Sequence, residues 1–595
     1  MKQVHVATTI ALAVALVPLA TGFAAQNSAP DRELLDIMAL AGEIRRADHT
    51  LPVPAGTDTR YSDRLDTVST ARFAEELVAL DALAARLAEL DRTELSAESA
   101  TDAQILGLQL RDRTNELRYR GYLLPIGSRY GFHFGFGSMP ESRSFRTVAD
   151  YDNYIARLQS FREHTGQQIE IMREGLAAGW VLPAAVMDNY EETAGQHVVE
   201  NLEASGFWAP FTAIPERVPA DDRARIRRDG RAAVEVTVGG YRDLYEFFRD
   251  EYVPAGRSTL GVADLPGGGR EYYEHRVRMY TTFDISPEQV HEVGLEQVSS
   301  IRAAMEAIRE EVGFAGDWPA FLEFLRTDER FYVQTADEYL AHVSLAAKQM
   351  EGHLPELFSG LPRTPYGIRA IPAHVAPRQS AGYYDRGNAD GTRGGWVNIN
   401  TSQLDQRPLW VARALAYHEG VPGHHLQIMM MQENPTLSDF RRRAGSTVFT
   451  EGWGLYAEKL GLDVGLMDDP YDRFGMWSYQ IWRACRLVVD TGIHALGWTR
   501  ERAIEYMADN TGMGIGPVTA EIDRHITEPG QGLAYTMGEL EITALRAQAR
   551  DRLGADFDLR EFHDVVLRGG SLPLSILRQR VLAWIDEREQ NSETS

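Results

Sequence analysis

The stretch Tyr417-His418-Glu419-Gly420-Val421-Pro422-Gly423-His424-His425-Leu426-Gln427 constrains the chain more than any other. It gathers three histidines and a glutamate into a few residues, with a Pro-Gly pair among them. Two neutral imidazoles and a carboxylate are ligand chemistry for zinc, and a glutamate directly after the first histidine is placed to act as general base on an activated water. The common arrangement sets the two histidines at i and i+4, one above the other on a helix face. Here the second is His424 at i+6 or His425 at i+7. On an unbroken helix His418 and His425 share a face but sit about 10 Å apart along the axis. Bonds of about 2.0–2.1 Å to one ion cannot span that. The helix must therefore break. Pro422 removes a backbone donor and clashes with the preceding turn, and Gly423 accepts unusual dihedrals. A bulge there absorbs two residues if His424 is the ligand and three if it is His425. The smaller distortion favours His424.

A second block, Thr450-Glu451-Gly452-Trp453-Gly454-Leu455-Tyr456-Ala457-Glu458, offers a carboxylate as third ligand in Glu451. Glu451 and Glu458 are seven apart and share one face of a helix. Glu458 reads either as the acceptor that fixes the tautomer of a ligand imidazole or as a surface glutamate paired with a basic residue. Hydrolysis through a tetrahedral intermediate also needs a donor for the oxyanion. Tyr535 is the first candidate, with His525 and Arg524 behind it. The expected site is thus one zinc per chain on His418, His424 and Glu451, with Glu419 as base and Tyr535 as oxyanion donor.

Three segments, His418–Gln427, Thr450–Glu458 and Glu528-Pro529-Gly530-Gln531-Gly532-Leu533-Ala534-Tyr535, together resemble the DUF885 family, bacterial proteins grouped with the gluzincin metallopeptidases. The resemblance runs from about Asp31 to about Arg588. Gly532 stands where the family pattern leads one to expect alanine. The resemblance implies zinc and peptide-bond hydrolysis, without naming a substrate. It also implies that Glu451 corresponds to the glutamate ligand in the Asn-Glu-Gly-Phe segment of zinc aminopeptidases.

Composition limits the alternatives. The chain has 595 residues, 44% hydrophobic and 25% charged, ordinary for a globular protein. A net charge of −25 argues against nucleic acid or an anionic membrane as partner. Lys2, an apolar run from Val6 to Ala20 and small residues to Ala25 read as a signal peptide over residues 1–24. No cysteine lies near the cleavage site, so the expectation is a periplasmic or secreted protein without a lipid anchor. No later segment is apolar enough to span a bilayer. The one cysteine, Cys485, reads as a packed hydrophobe.

The expected fold is mainly α (α+β): a large helical zincin-like fold with a small β-sheet beside the zinc helix. Helical spacing appears over Ala71–Leu90, Val148–Gly175 and Ala224–Tyr252, and in the last third around Arg486–Leu496, Arg500–Asp509 and Gly538–Arg552. Ser286-Pro287-Glu288 starts a helix, and Pro408 opens the one carrying His418. Gly395–Thr401 alternates as a strand and is expected at a sheet edge, where it would pair with an extended substrate. Gly-rich residues near Gly261–Gly269 suggest a boundary between a helical wall or lid, 31–260, and a zinc-binding half, 261–590.

Other residues have open roles. Asp490 and His494 form an i, i+4 pair. Arg486 reads as a salt-bridge partner or a receiver of a substrate carboxylate. Tyr130–Gly137 reads as a cleft mouth or a buried loop, and His563 as the end of a packed helix. The function that follows is a secreted zinc metallopeptidase acting on short peptides. A zinc amidohydrolase for other amides and a zinc-binding non-enzyme are the alternatives. No Gly-x-Ser-x-Gly elbow supports a serine hydrolase.

Overall fold

The computed structural model describes residues 28–46, 63–373, 376 and 379–594, so the signal segment expected at 1–24 lies outside the described residues. Helices dominate, and local sequence explains where they begin and end. Thr147 and Asp150 form a reciprocal cap at the start of Val148–Ala178, and Gly179 closes that helix in the left-handed region, at φ 76°. Ser286 and Gln289 cap Pro287–Glu311 in the same way, with Pro287 in its first turn. The expected helix over Ala224–Tyr252 is observed as Ala220–Phe247, continued by a π turn over Phe248–Tyr252. Arg486–Leu496 proves to be the end of a longer helix, Pro470–Ala495. No helix among the described residues is long and apolar enough to cross a membrane.

The largest hydrophobic core draws on both ends of the chain. It packs Ile105, Leu123 and Trp180 with Val262, Tyr417, Trp453 and Leu577. The residues around the expected boundary belong to it: Val262 and Leu265 are buried there. A Cβ on Gly261 would lie 2.7 Å from the Ile493 carbonyl. A cut at residue 260 therefore passes through a shared core and not through a linker. A second core, around Phe161 and Tyr241, belongs to the amino-terminal part alone.

The sheet has three strands: β1 (Tyr366–Ala370), β2 (Gly382–Asp385) and β3 (Gly395–Ile399), in the order β1-β3-β2. β1 runs parallel to β3, and β2 antiparallel to it. This corrects the expected place of Gly395–Ile399. The strand is there, but it is central, so its backbone groups are taken on both sides. The outer positions of the sheet belong to β1 and β2. β2 packs on the helix Ala412–Glu419, where Gly382 comes close to Leu415.

Candidate metal centre

The helix carrying His418 spans Ala412–Glu419 and stops; a new helix runs His424–Glu433. The four residues between them form the interruption that Pro422-Gly423 predicts. Gly423 has no space for a side chain, because a Cβ there would lie 2.0 Å from the His418 carbonyl oxygen. Trp453 holds the turn from below, donating its indole N–H to the Pro422 carbonyl at 2.9 Å.

This turn brings His424 to His418. Their ring centroids are 4.7 Å apart with planes at 80°. Glu451, on the helix Thr447–Asp463, places Oε2 at 3.7 Å from Nε2 of each histidine. One ligand atom from each of the three residues lies within 4.8 Å of the others. Ligand atoms bonded tetrahedrally at about 2.0–2.1 Å are about 3.3 Å apart, so a small contraction suffices to hold one zinc. His425 faces elsewhere: its Nδ1 shares a 2.8 Å hydrogen bond with the Tyr384 hydroxyl, and its ring packs 4.5 Å from that of Tyr366.

Glu458 is fully buried, which overturns the surface reading. Its Oε1 lies 2.8 Å from His418 Nδ1, and its Oε2 accepts from Gln480 Nε2 at 3.1 Å. With the Nδ1 proton given to Glu458, the His418 Nε2 lone pair faces Glu451 and His424. Gly454 lets the two helices close, since a Cβ there would sit 2.6 Å from His418 Cε1.

The electrostatics favour positive charge at this point. Burial opposes a charged His418, but Glu451 and Glu458 outweigh it and raise the imidazole to about 9. Burial also opposes a charged Glu451, yet His418, His424 and Arg483 bring the carboxyl down to about 2. Burial and the neighbouring His418 lower His424 to about 4. Glu419 is pushed up to about 7 by burial, with His418 acting against the shift. A carboxyl in that range can both accept and release a proton near neutral pH. The donor set, its spacing and its field all fit a divalent cation of zinc's preferences.

The outer residues are held by contacts of their own, and Arg486 takes the salt-bridge role of its two readings. Tyr535 is half-buried, and its ring carries the Arg486 guanidinium 4.5 Å above it. Arg486 is not free for substrate: Nε is 2.8 Å from Glu521 Oε1. Asp490 and His494 do not bond each other. Asp490 accepts from the Tyr273 hydroxyl at 2.6 Å and the Gly530 N–H at 3.0 Å, and meets His525 at 3.0 Å. His494 accepts from the Val262 N–H and reaches the His525 carbonyl at 2.8 Å. Arg524 binds Glu528 and Gln531. These contacts hold the Glu528–Gln531 turn and, through it, the base of the Tyr535 helix. The same packing explains Gly532: a Cβ there would lie 2.1 Å from His525 Cε1.

The Tyr130–Gly137 segment forms a short helix, Phe132–Gly137, buried against Phe161. His563 is buried between the Tyr456 hydroxyl and the Leu357 carbonyl, each at 2.8 Å. A cavity of about 650 Å³ beside Arg413 is lined by none of His418, Glu419, His424 or Glu451. The residue missed from sequence is Arg483, whose charge acts on Glu419, His424 and Glu451.

Solved structures similar to this one include two named as lipoproteins. A candidate lipoprotein from Colwellia psychrerythraea is 25% identical with a TM-score of 0.85, covering 94% of this chain and 99% of its own. A candidate lipoprotein of unknown function from Shewanella oneidensis shares the fold at 17% identity and a TM-score of 0.70, covering 93% of this chain and 100% of its own. No curated protein matches the chain. The family described as "Bacterial protein of unknown function (DUF885)" matches residues 52–581, nearly the whole described chain, and the protein belongs to it.

Proposed function

We propose that this protein is a zinc-dependent hydrolase of the gluzincin kind, cleaving peptide bonds of short peptides outside the cytoplasm. One observation carries the reading: His418, His424 and Glu451 converge within ligand distance, with Glu419 adjoining His418 and Glu458 behind it. A site that only stored a metal would have no use for a buried carboxyl that is not among its ligands. Zinc, when bound, supplies a Lewis acid for the carbonyl and makes water easier to deprotonate. Glu419 takes the proton from the attacking water and returns it to the leaving amine. The Tyr535 phenol donates to the carbonyl oxygen as negative charge develops there. Glu458 keeps His418 in the tautomer that offers Nε2.

The leader-like residues at the amino terminus support an extracytoplasmic location. So do the names of the two similar structures, both candidate lipoproteins. The same residues would serve a zinc amidohydrolase for acylated amino acids, and the substrate panel below separates the two.

The test combines metal and rate. Purified mature protein should contain about one zinc per chain and cleave members of a dipeptide library. Glu419→Gln should keep its zinc while turnover falls by about 10²-fold or more. Unchanged turnover would remove Glu419 from the chemistry. Cleavage of acyl amides in place of dipeptides would move the protein to the amidohydrolase reading.

A further inference from the structure

Arg483 is a cation that the proposed chemistry does not use. It lies on the helix Pro470–Ala495, one turn beyond Gln480, which reaches the metal centre through Glu458. Its guanidinium stacks 4.6 Å from the Tyr479 ring centroid and stands 6.0 Å from that of Tyr535. Its charge is felt by Glu419, His424 and Glu451. It therefore stands between Tyr535 and the group formed by Glu419, His424 and Glu451.

Its hydrogen bonding is incomplete. Nη1 donates to the Tyr479 carbonyl at 3.3 Å. Nε is buried without a partner. Among the described residues no carboxylate oxygen comes within 4.0 Å of it. Arg486, over the same Tyr535 ring, pairs with Glu521, and Arg524 pairs with Glu528. A half-buried guanidinium with no carboxylate in direct contact leaves hydrogen-bonding capacity unused, and a planar fork held by ring stacking is already oriented for one. The chain carries a net charge of −25, so an anionic substrate needs a local cation to enter.

We propose that Arg483 binds the free α-carboxylate of the substrate, so that the bond cleaved is the one next to the carboxyl-terminal residue. This rests on the hydrolase reading above and narrows it to dipeptides, carboxyl-terminal exopeptidase substrates and acyl amino acids. The hydrolysis stays balanced: water adds to the carbonyl, the C–N bond breaks, and the leaving amine takes the proton. Arg483 touches only the carboxylate that leaves with that amine.

The test uses zinc-loaded full-length mature protein with two matched pools, dipeptides with free carboxylates and the same dipeptides as carboxamides. A charge-assisted hydrogen bond is worth about tenfold or more. Wild type should prefer the acid pool by at least about that factor, expressed in KM. Arg483→Gln should bring the acid-to-amide ratio to within about twofold of one, with zinc content unchanged. Arg483→Lys should restore part of the preference. If Arg483→Gln slows both pools alike, or wild type favours the amides, the proposal is overturned while the hydrolase reading stands. If wild type cleaves neither pool, the peptide-hydrolase reading falls. Calorimetric binding of alanyl-phenylalanine and its carboxamide to zinc-loaded Glu419→Gln, with and without Arg483→Gln, then decides the proposal. An acid preference that depends on Arg483 supports it, and its absence overturns it.

Discussion

Replacing Glu458 by glutamine tests how far the proposed zinc site depends on a residue outside its ligand set. Glu458 accepts at both oxygens, from His418 Nδ1 at 2.8 Å and from Gln480 Nε2 at 3.1 Å. The Gln480 amide also donates to the Leu455 carbonyl at 3.1 Å, so it cannot flip without losing that bond. In Glu458→Gln the new side chain keeps one oxygen for His418 and turns an NH₂ toward the NH₂ of Gln480. A buried donor is then left without an acceptor, at about 1–3 kcal/mol. His418 loses its charged acceptor and becomes a weaker ligand. The expected loss in zinc affinity is about 10–100-fold, equivalent to about 1.4–2.8 kcal/mol. Competition with a chromophoric chelator measures the affinity, and thermal unfolding with chelator in excess reports the fold without metal. If stability falls but zinc affinity stays within about twofold of wild type, Glu458 is a structural buried acid, and the reasoning about the tautomer is refuted.

Three further outcomes are expected. His424→Ala should lose its zinc by elemental analysis, whereas His425→Ala should keep it, losing only the Tyr384 contact; the reverse pattern would move the ligand to His425. Gly532→Ala should drive a methyl group into His525 and destabilise the protein by about 1–3 kcal/mol, and an unchanged melting temperature would show that the packing yields freely. Burial opposes a charged His525, but Asp490 and Glu521 outweigh it and raise its pKa. Burial also opposes charge on Asp490 and Glu521, yet their cationic neighbours, His525 on both and Arg486 on Glu521, lower them. His525 thus contributes stability fully below its unfolded value of about 6.5, and this is lost as pH rises through its raised folded value. The carboxylates contribute above their unfolded values of about 4 and lose this as pH falls through their lowered ones. The cluster should be strongest between about pH 4.3 and 6.5. The gap in melting temperature between wild type and His525→Gln should shrink on the alkaline side, and parallel pH curves would contradict this.

Features that depend on neighbours in the chain were legible. Ser286 and Pro287 mark the start of a helix because caps are local, and Pro422-Gly423 marks the break because both residues act on their own backbone. The spacing through the break brings His424 back to His418 for the same reason. Features made by distant segments were not legible. An alternating pattern identifies Gly395–Ile399 as a strand but says nothing of its neighbours, and its central place follows from pairing with β1 and β2. The partner of Arg486 is Glu521, and that of Asp490 is Tyr273, far back in the chain. Arg483 carried one signal: Gln480, Arg486, Asp490 and His494 are polar residues on a helix otherwise rich in buried apolar ones. Such a face has to meet other polar groups, and here it meets Glu458 behind the proposed metal centre and the turn below Tyr535.

The helix Thr447–Asp463 grips His418 at both nitrogens, with Glu451 toward Nε2 and Glu458 toward Nδ1. That makes the length of the segment between them a heritable constraint separate from its composition. One residue inserted between the two glutamates would turn one carboxylate by about 100° around the helix, away from the ring it serves. Inserting a full turn would restore the face but slide that carboxylate about 5 Å along the axis. Neither change can be repaired by a substitution elsewhere, because the spacing is set by the pitch of the helix and the width of one imidazole. Among functional descendants of this chain, the seven-residue interval should therefore outlast the identity of most residues inside it.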